Sequence, residues 1–272
     1  QQANRLNDNG SWPYLRSHPL TTERMADMQS RIPPVATPAP GAPMQTFSEH
    51  AMVAARARVL SNPGVDTLRQ WIAEPKGSGF QSQPLPRRAA ALYAAALASS
   101  QLRDAANARL VARQLDDLVR QDPAAHRLAR LLMAEIELAA GDASAALASM
   151  PEGNNARRPE LVLRTQALLR ANRPTDATQA LQTWVATHPK DATVWQLLAS
   201  SWQAQGQALR AIRAEAEAQA ARYDYAAAVD RFKAGQEIAR RGGPAVDHIE
   251  ASIIDTRLRA MESLLREQAA ER

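Results

Sequence analysis

Alanine-rich helical segments, interrupted by turn residues at near-regular intervals, constrain the fold of this chain more than any other feature. Gly141, Asn172 and Gly206 occupy equivalent turn positions, 31 and 34 residues apart, and an alanine follows each of them by five residues. Glycine and asparagine tolerate the left-handed conformation that ends a helix, and small residues let two helices approach closely. This pattern predicts an array of helical hairpins, each packed against the next.

The best-defined unit of the pattern is Trp195-x-x-Leu198-Ala199-x-x-Trp202-x-x-x-Gly206-x-x-x-x-Ala211. In residue type and spacing it resembles the tetratricopeptide repeat (TPR), a helical hairpin with a period of about 34 residues. The resemblance implies an all-α fold, a TPR α-solenoid, in which the last two hairpins share a helix. The expected hairpins span residues 86–122, 125–150, 158–188, 192–222 and 208–240. An irregular α-helical bundle stays open as the alternative fold.

Composition limits the classes of function. The chain has no cysteine, which excludes disulfides and thiolate metal sites. Its longest apolar run, Ala89 to Ala98, is much shorter than the roughly 20 residues that a membrane-spanning helix needs. The net charge of +5 comes from arginines that are mixed with Glu and Asp along the helices, without the dense basic stripe of nucleic-acid-binding proteins. We therefore expect neither a transmembrane segment nor a nucleic-acid partner.

A proline-rich segment marks the clearest domain boundary. Five prolines lie between Ile32 and Pro43, which predicts an extended, semi-stiff linker. Near the end of the chain, apolar residues recur every three or four positions along a helix whose other face is charged, as a capping helix requires. The predicted divisions are a segment before the linker (1–31), the linker (32–46), connecting helices (47–85), the repeat region (86–241) and a C-terminal capping helix (242–272).

Residues 12–24 carry the most specific motif, Trp-Pro-Tyr-Leu-Arg-Ser-His-Pro-Leu-Thr-Thr-Glu-Arg. Within it, Ser17-His18-Pro19 and Arg24 resemble the Ser/Thr-His-Pro…Arg segment late in the catalytic domain of Ste24/HtpX-like zinc metallopeptidases. The order of this motif, a proline-rich hinge and helical repeats resembles the BepA-type, periplasmic branch of that family. Residues 1–31 would then be the tail, or stump, of a peptidase domain.

The resemblance implies a parent protein with a signal peptide, a zinc peptidase domain and a repeat domain, which acts in the periplasm as a protease and chaperone in outer-membrane protein assembly. This chain lacks the His-Glu-x-x-His sequence, so we expect no catalysis and no cofactor in it, and zinc only in the full-length parent. In that parent His18 would be a regulatory zinc ligand, and His18→Ala would raise proteolysis. The alternative is that His18 only holds a loop by a hydrogen bond.

Partner binding is expected on the surface formed by the first helix of each hairpin, which lines the groove of a solenoid. The register places on this surface Tyr93, Arg103, Leu128, Leu131, Glu135, Val162, Gln166, Thr193, Gln196 and Gln203. Apolar and amide groups suit an extended or partly folded polypeptide, so the expected partners are polypeptide substrates or outer-membrane assembly proteins. The alternative function is a stand-alone TPR scaffold without a peptidase.

The apolar side chains of residues 1–31 also need a partner surface. We expect this segment to dock on the repeats or on a neighbouring copy, which would give self-association. We also expect the repeats to contact the peptidase domain of the parent.

Overall fold

The structure is a computed structural model that describes Ser30 and residues 45–150, 157–242 and 247–270. The chain divides into two compact units, residues 1–44 and residues 45–272, and every element named below belongs to the second unit. The predicted peptidase tail, including His18, lies outside the described residues except for Ser30. The structure therefore does not test the expectations about that tail.

Every regular element in the described part of the chain is helical, which confirms the all-α fold class. A short 3₁₀ helix, Glu74–Lys76, follows the second α-helix. None of the described helices is long and apolar enough to cross a membrane. The α-helices in these ranges are α1 (Gln45–Leu60), α2 (Val65–Ala73), α3 (Leu85–Gln101), α4 (Ala105–Leu118), α5 (Pro123–Ala139), α6 (Ala143–Ser149), α7 (Arg158–Arg170), α8 (Pro174–Thr187), α9 (Ala192–Ala204), α10 (Ala208–Ala220), α11 (Tyr225–Arg241) and α12 (His248–Ala270).

Five tight turns join consecutive helices in the same way. One residue in each turn has a left-handed backbone conformation: Arg103 (φ 62°), Gly141 (87°), Asn172 (56°), Gly206 (71°) and Tyr223 (64°). The next residue donates its N–H to the carbonyl oxygen five positions earlier, at 2.8–3.1 Å across the five turns. This Schellman geometry satisfies carbonyls at the helix end. The sequence predicted three of these turns, and the structure adds those at Arg103 and Tyr223.

An alanine is the fourth residue of each helix that follows such a turn. These alanines are Ala108, Ala146, Ala177, Ala211 and Ala228, and all are at most 2% exposed. A larger side chain at this position would force the paired helices apart. The close approach of the two helices in each pair therefore depends on a small residue, as the sequence predicted for the turns at Gly141, Asn172 and Gly206.

The helices pack in chain order as pairs. We call α3–α4, α5–α6, α7–α8 and α9–α10 hairpins one to four, and α3, α5, α7 and α9 the first helices. Each first helix also contacts the first helix of the next hairpin. Trp195 and Trp202 are 8% and 7% exposed and belong to an apolar cluster that extends from α7 to α10. Both tryptophans therefore pack between hairpins three and four.

Arginines of one hairpin pair with carboxylates of the next. Arg127 binds Glu160, and Arg109 binds Glu137 with N–O distances of 2.5–3.0 Å. Glu137 and Glu160 are 8% and 7% exposed, so each would carry a large desolvation cost without its arginine. These ion pairs fix how one hairpin lies on its neighbour.

The order of packing changes at α10. This helix pairs with α9 as the second helix of hairpin four, and it pairs equally with α11. It also contacts α12: Arg213 binds Glu250 of that helix, and Arg210 binds Asp247, the residue that precedes it. No substantial contact joins the described helices α9 and α11. Helix α10 therefore serves as the second helix of one pair and the first helix of the next, as the shared helix in the sequence prediction requires.

Candidate functional site

Helix α1 lies against α3 and α5, the first helices of hairpins one and two. Arg56 of α1 donates from Nη1 to Tyr93 Oη of α3 at 3.1 Å and to Glu135 Oε2 of α5 at 2.6 Å. Its Nη2 also donates to Glu135 Oε1 at 3.2 Å. Such bidentate pairing is both stronger and more directional than a single hydrogen bond. One arginine side chain thus connects three helices.

The electrostatics of this cluster are fixed by burial and pairing. Burial raises the pKa of the Tyr93 phenol above its ordinary value, because the charged phenolate would be desolvated. Burial acts to lower the pKa of Arg56, but the hydrogen bonds and charge interactions with Glu135 and Tyr93 together outweigh this effect, so the pKa is raised. Near neutral pH, Tyr93 is therefore a neutral hydrogen-bonding group, and Arg56 carries the positive charge that Glu135 binds.

The rest of the contact between α1 and α3 is mostly apolar, apart from a hydrogen bond that Gln101 Nε2 donates to the Val59 carbonyl oxygen at 3.5 Å. Met52, Ala55 and Val59 are fully buried in a cluster that also contains most of α3. Ser48 is equally buried, yet its hydroxyl has no hydrogen-bond partner among the described residues. An unsatisfied buried hydroxyl costs about 1–3 kcal/mol. The contact is therefore specific but carries an unfavourable group.

Two positions recur along the first helices, ten and six residues before the left-handed turn residue. Ten residues before the turns lie Tyr93, Leu131, Val162 and Gln196, and six residues before them lie Leu97, Glu135, Gln166 and Ser200. In hairpins one and two these side chains are buried, or, for Glu135, paired with Arg56. In hairpins three and four Val162 is half-buried and the other three are exposed. The same surface is closed in its first half and open in its second.

We call the exposed second half the open surface. It consists of Val162 and Gln166 of α7 and Thr193, Gln196, Ser200 and Gln203 of α9. The side-chain amides of its three glutamines make no hydrogen bond within the described part of the chain. Each amide offers both a donor and an acceptor, as the main chain of a polypeptide requires.

The structure thus separates the residues predicted to bind a partner. Val162, Gln166, Thr193, Gln196 and Gln203 lie together on the open surface. Of the other predicted residues, Tyr93 and Leu131 are 3% and 8% exposed, Leu128 is half-buried against the core, and Glu135 is engaged by Arg56. Those in the second group are less accessible to a partner while α1 is in place.

Arg103 does not lie on a first helix, so its predicted placement is wrong. Helix α3 ends at Gln101, and Arg103 is the left-handed residue of the following turn. The error arises because a Schellman turn on arginine lacks the Gly or Asn signal that marked the other turns. Its exposed side chain borders a concavity of about 460 Å³, together with Gln101, Arg109 and Ile136.

A second concavity, of about 610 Å³, lies beside the start of α9. There the ring of Trp184 stacks on His188 with centroids 4.1 Å apart, and its Nε1 donates to Asp191 Oδ2 at 3.0 Å. Arg158 donates to both carboxylate oxygens of Asp191, at 2.7 and 2.9 Å. The hydrogen bond from Arg158 lowers the pKa of Asp191 below its ordinary value. These polar groups are paired with one another, which favours a structural role.

Metal binding has no support among the described residues. No group of three or more His, Cys, Asp and Glu side chains there is arranged to hold a metal ion. His18 lies outside the described residues, so its role as a regulatory zinc ligand stays a prediction.

Arg56 is the residue that the sequence interpretation did not identify. It follows Met52 by four positions and precedes Val59 by three, so it lies on the apolar stripe of α1 rather than on its solvent side. A charge in such a stripe indicates a buried partner. The partner could not be named from sequence, because Glu135 is 79 residues away.

Comparison with known proteins does not add to this picture. No model of a known protein family matches the chain, and no significant match to a curated protein is found.

Proposed function

We propose that residues 85–241 form a TPR-type α-solenoid that binds polypeptide segments on its open surface. The proposal draws on five equivalent turns, on the buried alanine that follows each, and on contacts between successive first helices. An array of this kind stacks hairpins so that neighbours share a core and the first helices form one extended surface. An irregular bundle would not be expected to repeat one turn geometry and one small residue five times.

The observation that carries the function is a row of amides on neighbouring first helices that find no hydrogen-bond partner among the described residues. Gln166 of α7 and Gln196 and Gln203 of α9 are exposed, and half-buried Val162 adds an apolar contact. Amides bind main-chain N–H and C=O groups whatever the side chains of the ligand are, which suits recognition of an extended or partly folded segment.

The test replaces all three amides at once. Gln166→Ala, Gln196→Ala and Gln203→Ala are combined in one variant, and fluorescence anisotropy measures its affinity for a labelled 12-residue peptide. The peptide alternates apolar and polar residues, as in a strand of an outer-membrane barrel. We expect affinity to fall by about tenfold or more, because each lost hydrogen bond contributes roughly 0.5–1.5 kcal/mol.

A matched control keeps the number and type of substitutions. Gln114 of α4 and Gln179 and Gln182 of α8 are also exposed but lie on second helices, so their replacement by Ala should leave affinity unchanged. Equal affinity of the two triple variants, or no measurable binding by the unsubstituted chain, would contradict the proposal.

We further propose that this repeat domain serves a periplasmic zinc metallopeptidase and chaperone acting in outer-membrane protein assembly. The support is the resemblance of Ser17-His18-Pro19 and Arg24 to the peptidase family, in a chain that continues into a proline-rich linker and helical repeats. The DNA sequence upstream of the codon for Gln1 tests this. A His-Glu-x-x-His sequence and a signal peptide in the same reading frame would support it, whereas a start codon at or near the position of Gln1 would favour the stand-alone scaffold.

A further inference from the structure

The first half of the first-helix surface is covered by a helix of the same chain. Helix α1 covers α3 and α5 and leaves α7 and α9 uncovered. Residues 61–64 connect α1 to α2, and α1 is not a member of any of the four hairpins. In the described residues it makes no substantial contact with α2, the next helix. Its position is thus fixed mainly by α3 and α5.

The contacts of α1 define which helices this surface accepts. Met52, Ala55 and Val59 form the buried stripe, and Arg56 beside them pairs with Glu135. These four residues have the i, i+3, i+4 and i+7 spacing of an amphipathic helix that binds in a groove. Small or unbranched side chains allow close approach to alanine-rich α3, and a cation at i+4 meets the carboxylate of α5.

Several features limit how firmly α1 is held. The Ser48 hydroxyl is buried without a partner in the described part of the chain, and the Arg56 and Glu135 side chains are 37% and 31% exposed. On its other sides α1 exposes Phe47, Val53 and Leu60, each to 49%. Helix α1 therefore buries only part of its apolar surface, unlike α3, which is buried through eleven successive residues from Ala89 to Ser99.

We propose that the surface of α3 and α5 is a binding site for an amphipathic helix of a partner polypeptide, with α1 as its intramolecular occupant that the partner helix displaces. The partner helix carries an aliphatic or methionine stripe and an arginine in the place of Arg56. The apparent affinity for such a helix is lowered by the fraction of molecules in which α1 is docked. This site is separate from the amide row on α7 and α9.

The test uses the whole chain and a labelled peptide of residues 45–60 as the probe. Arg56→Ala weakens the docking of α1 within the chain. The Arg56→Ala chain should therefore bind the peptide about fivefold more tightly than the unsubstituted chain does, which is the effect expected from loss of a part-exposed ion pair. Ser48→Ala removes the unsatisfied hydroxyl and should bind it more weakly. Arg69→Ala, which removes an exposed pair within α2, is the control and should leave affinity unchanged.

The peptide itself supplies the second comparison. A peptide with Ala at the position of Arg56 should bind the Arg56→Ala chain less tightly than the native peptide does. In the unsubstituted chain, the native peptide should accelerate hydrogen exchange of the α1 amides and leave α7 to α10 unchanged. This measurement needs no variant, so it decides the matter even where a substitution impairs folding.

The proposal is wrong if the chain variants bind the peptide equally and the peptide does not accelerate exchange in α1. It is also wrong if the chain is a dimer in which α1 is exchanged between copies, because a second copy is then the occupant. Neither result bears on the open surface, since the glutamine variants test that site independently.

Discussion

At the scale of single residues, Asp191 combines two structural roles at the start of α9. Its Oδ1 accepts from the backbone N–H of Val194 as a helix cap, and both oxygens accept from Arg158 of the preceding hairpin. Trp184 adds a third donor. One carboxylate therefore begins a helix and fixes the contact between hairpins three and four, and Asp142, Asp224 and Asp247 act in the same way as caps of α6, α11 and α12.

Asp191→Asn tests the charge while keeping the cap, since asparagine caps helices about as well as aspartate. The lowered pKa means that the stabilisation by the carboxylate is complete above its unfolded-state pKa of about 3.9 and is lost as pH falls through the lower folded-state value. We expect the free energy of unfolding of the variant to be about 1 kcal/mol lower at pH 7, a modest loss because the Arg158 side of the ion pair is exposed. The difference should shrink towards zero below about pH 4.

Urea denaturation at a series of pH values provides the measurement. Asp66→Asn is the control, because Asp66 pairs with Arg69 on an exposed surface within α2. A stability difference between Asp191→Asn and the unsubstituted chain that is constant down to pH 2 would contradict the assigned role.

At the scale of elements, the five turns use one backbone geometry with different residues. Gly141 and Gly206 adopt it without strain, and a Cβ atom added at either position would meet open space. Arg103 and Tyr223 adopt it at a steric cost of about 1–2 kcal/mol. The turn is thus imposed by the packing of the two helices, and the residue at the turn only adjusts its cost.

The two kinds of turn predict opposite effects of substitution. Gly206→Ala should destabilise the chain by about 1 kcal/mol through backbone strain alone, and Tyr223→Gly should stabilise it by up to about 1 kcal/mol. Thermal unfolding followed by circular dichroism measures both. Gly79→Ala is the control, because Gly79 lies in a loop with open space around it and without a left-handed backbone. Destabilisation by Tyr223→Gly would contradict this account of the turn.

At the scale of the whole molecule, stability depends on contacts between neighbouring elements. Helix α12 covers a cluster that contains Phe232 and Val229 of α11, and its Arg257 binds Glu217 of α10 at 2.6 Å. The hydrogen bonds to Glu217 raise the pKa of Arg257. In such an array each pair of helices interacts only with its neighbours, so a loss of contacts at one end should destabilise only the adjacent helices.

Removal of residues 243–272 tests this arrangement. The truncation exposes Phe232 and leaves Glu217 without Arg257, so we expect the free energy of unfolding to fall by about 3 kcal/mol or more. Hydrogen exchange with mass spectrometry should detect lost protection in α10 and α11 and retained protection in α3 to α5. Removal of residues 269–272 is the control, because Ala269 and Ala270 are exposed. Loss of protection along the entire chain would contradict nearest-neighbour stability.

The sequence determined the helices, their ends and their pairing in much of the chain. Capping residues, left-handed turn residues and buried alanines act within a few positions of one another, so the period could be read directly. The turn at Arg103 was not predicted, because arginine carries no turn signal. The glutamines of the open surface, which the sequence placed on the first helices as partner-binding residues, are exposed in the structure, and their role in binding stays a prediction.

Only the tertiary structure decided which part of the first-helix surface stays open. Arg56 meets Glu135 across 79 residues, and no local pattern specifies that α1 covers α3 and α5 and stops before α7. Backbone preference is local and can be read from neighbours in sequence, whereas burial depends on which distant helix arrives at a surface and excludes water from it.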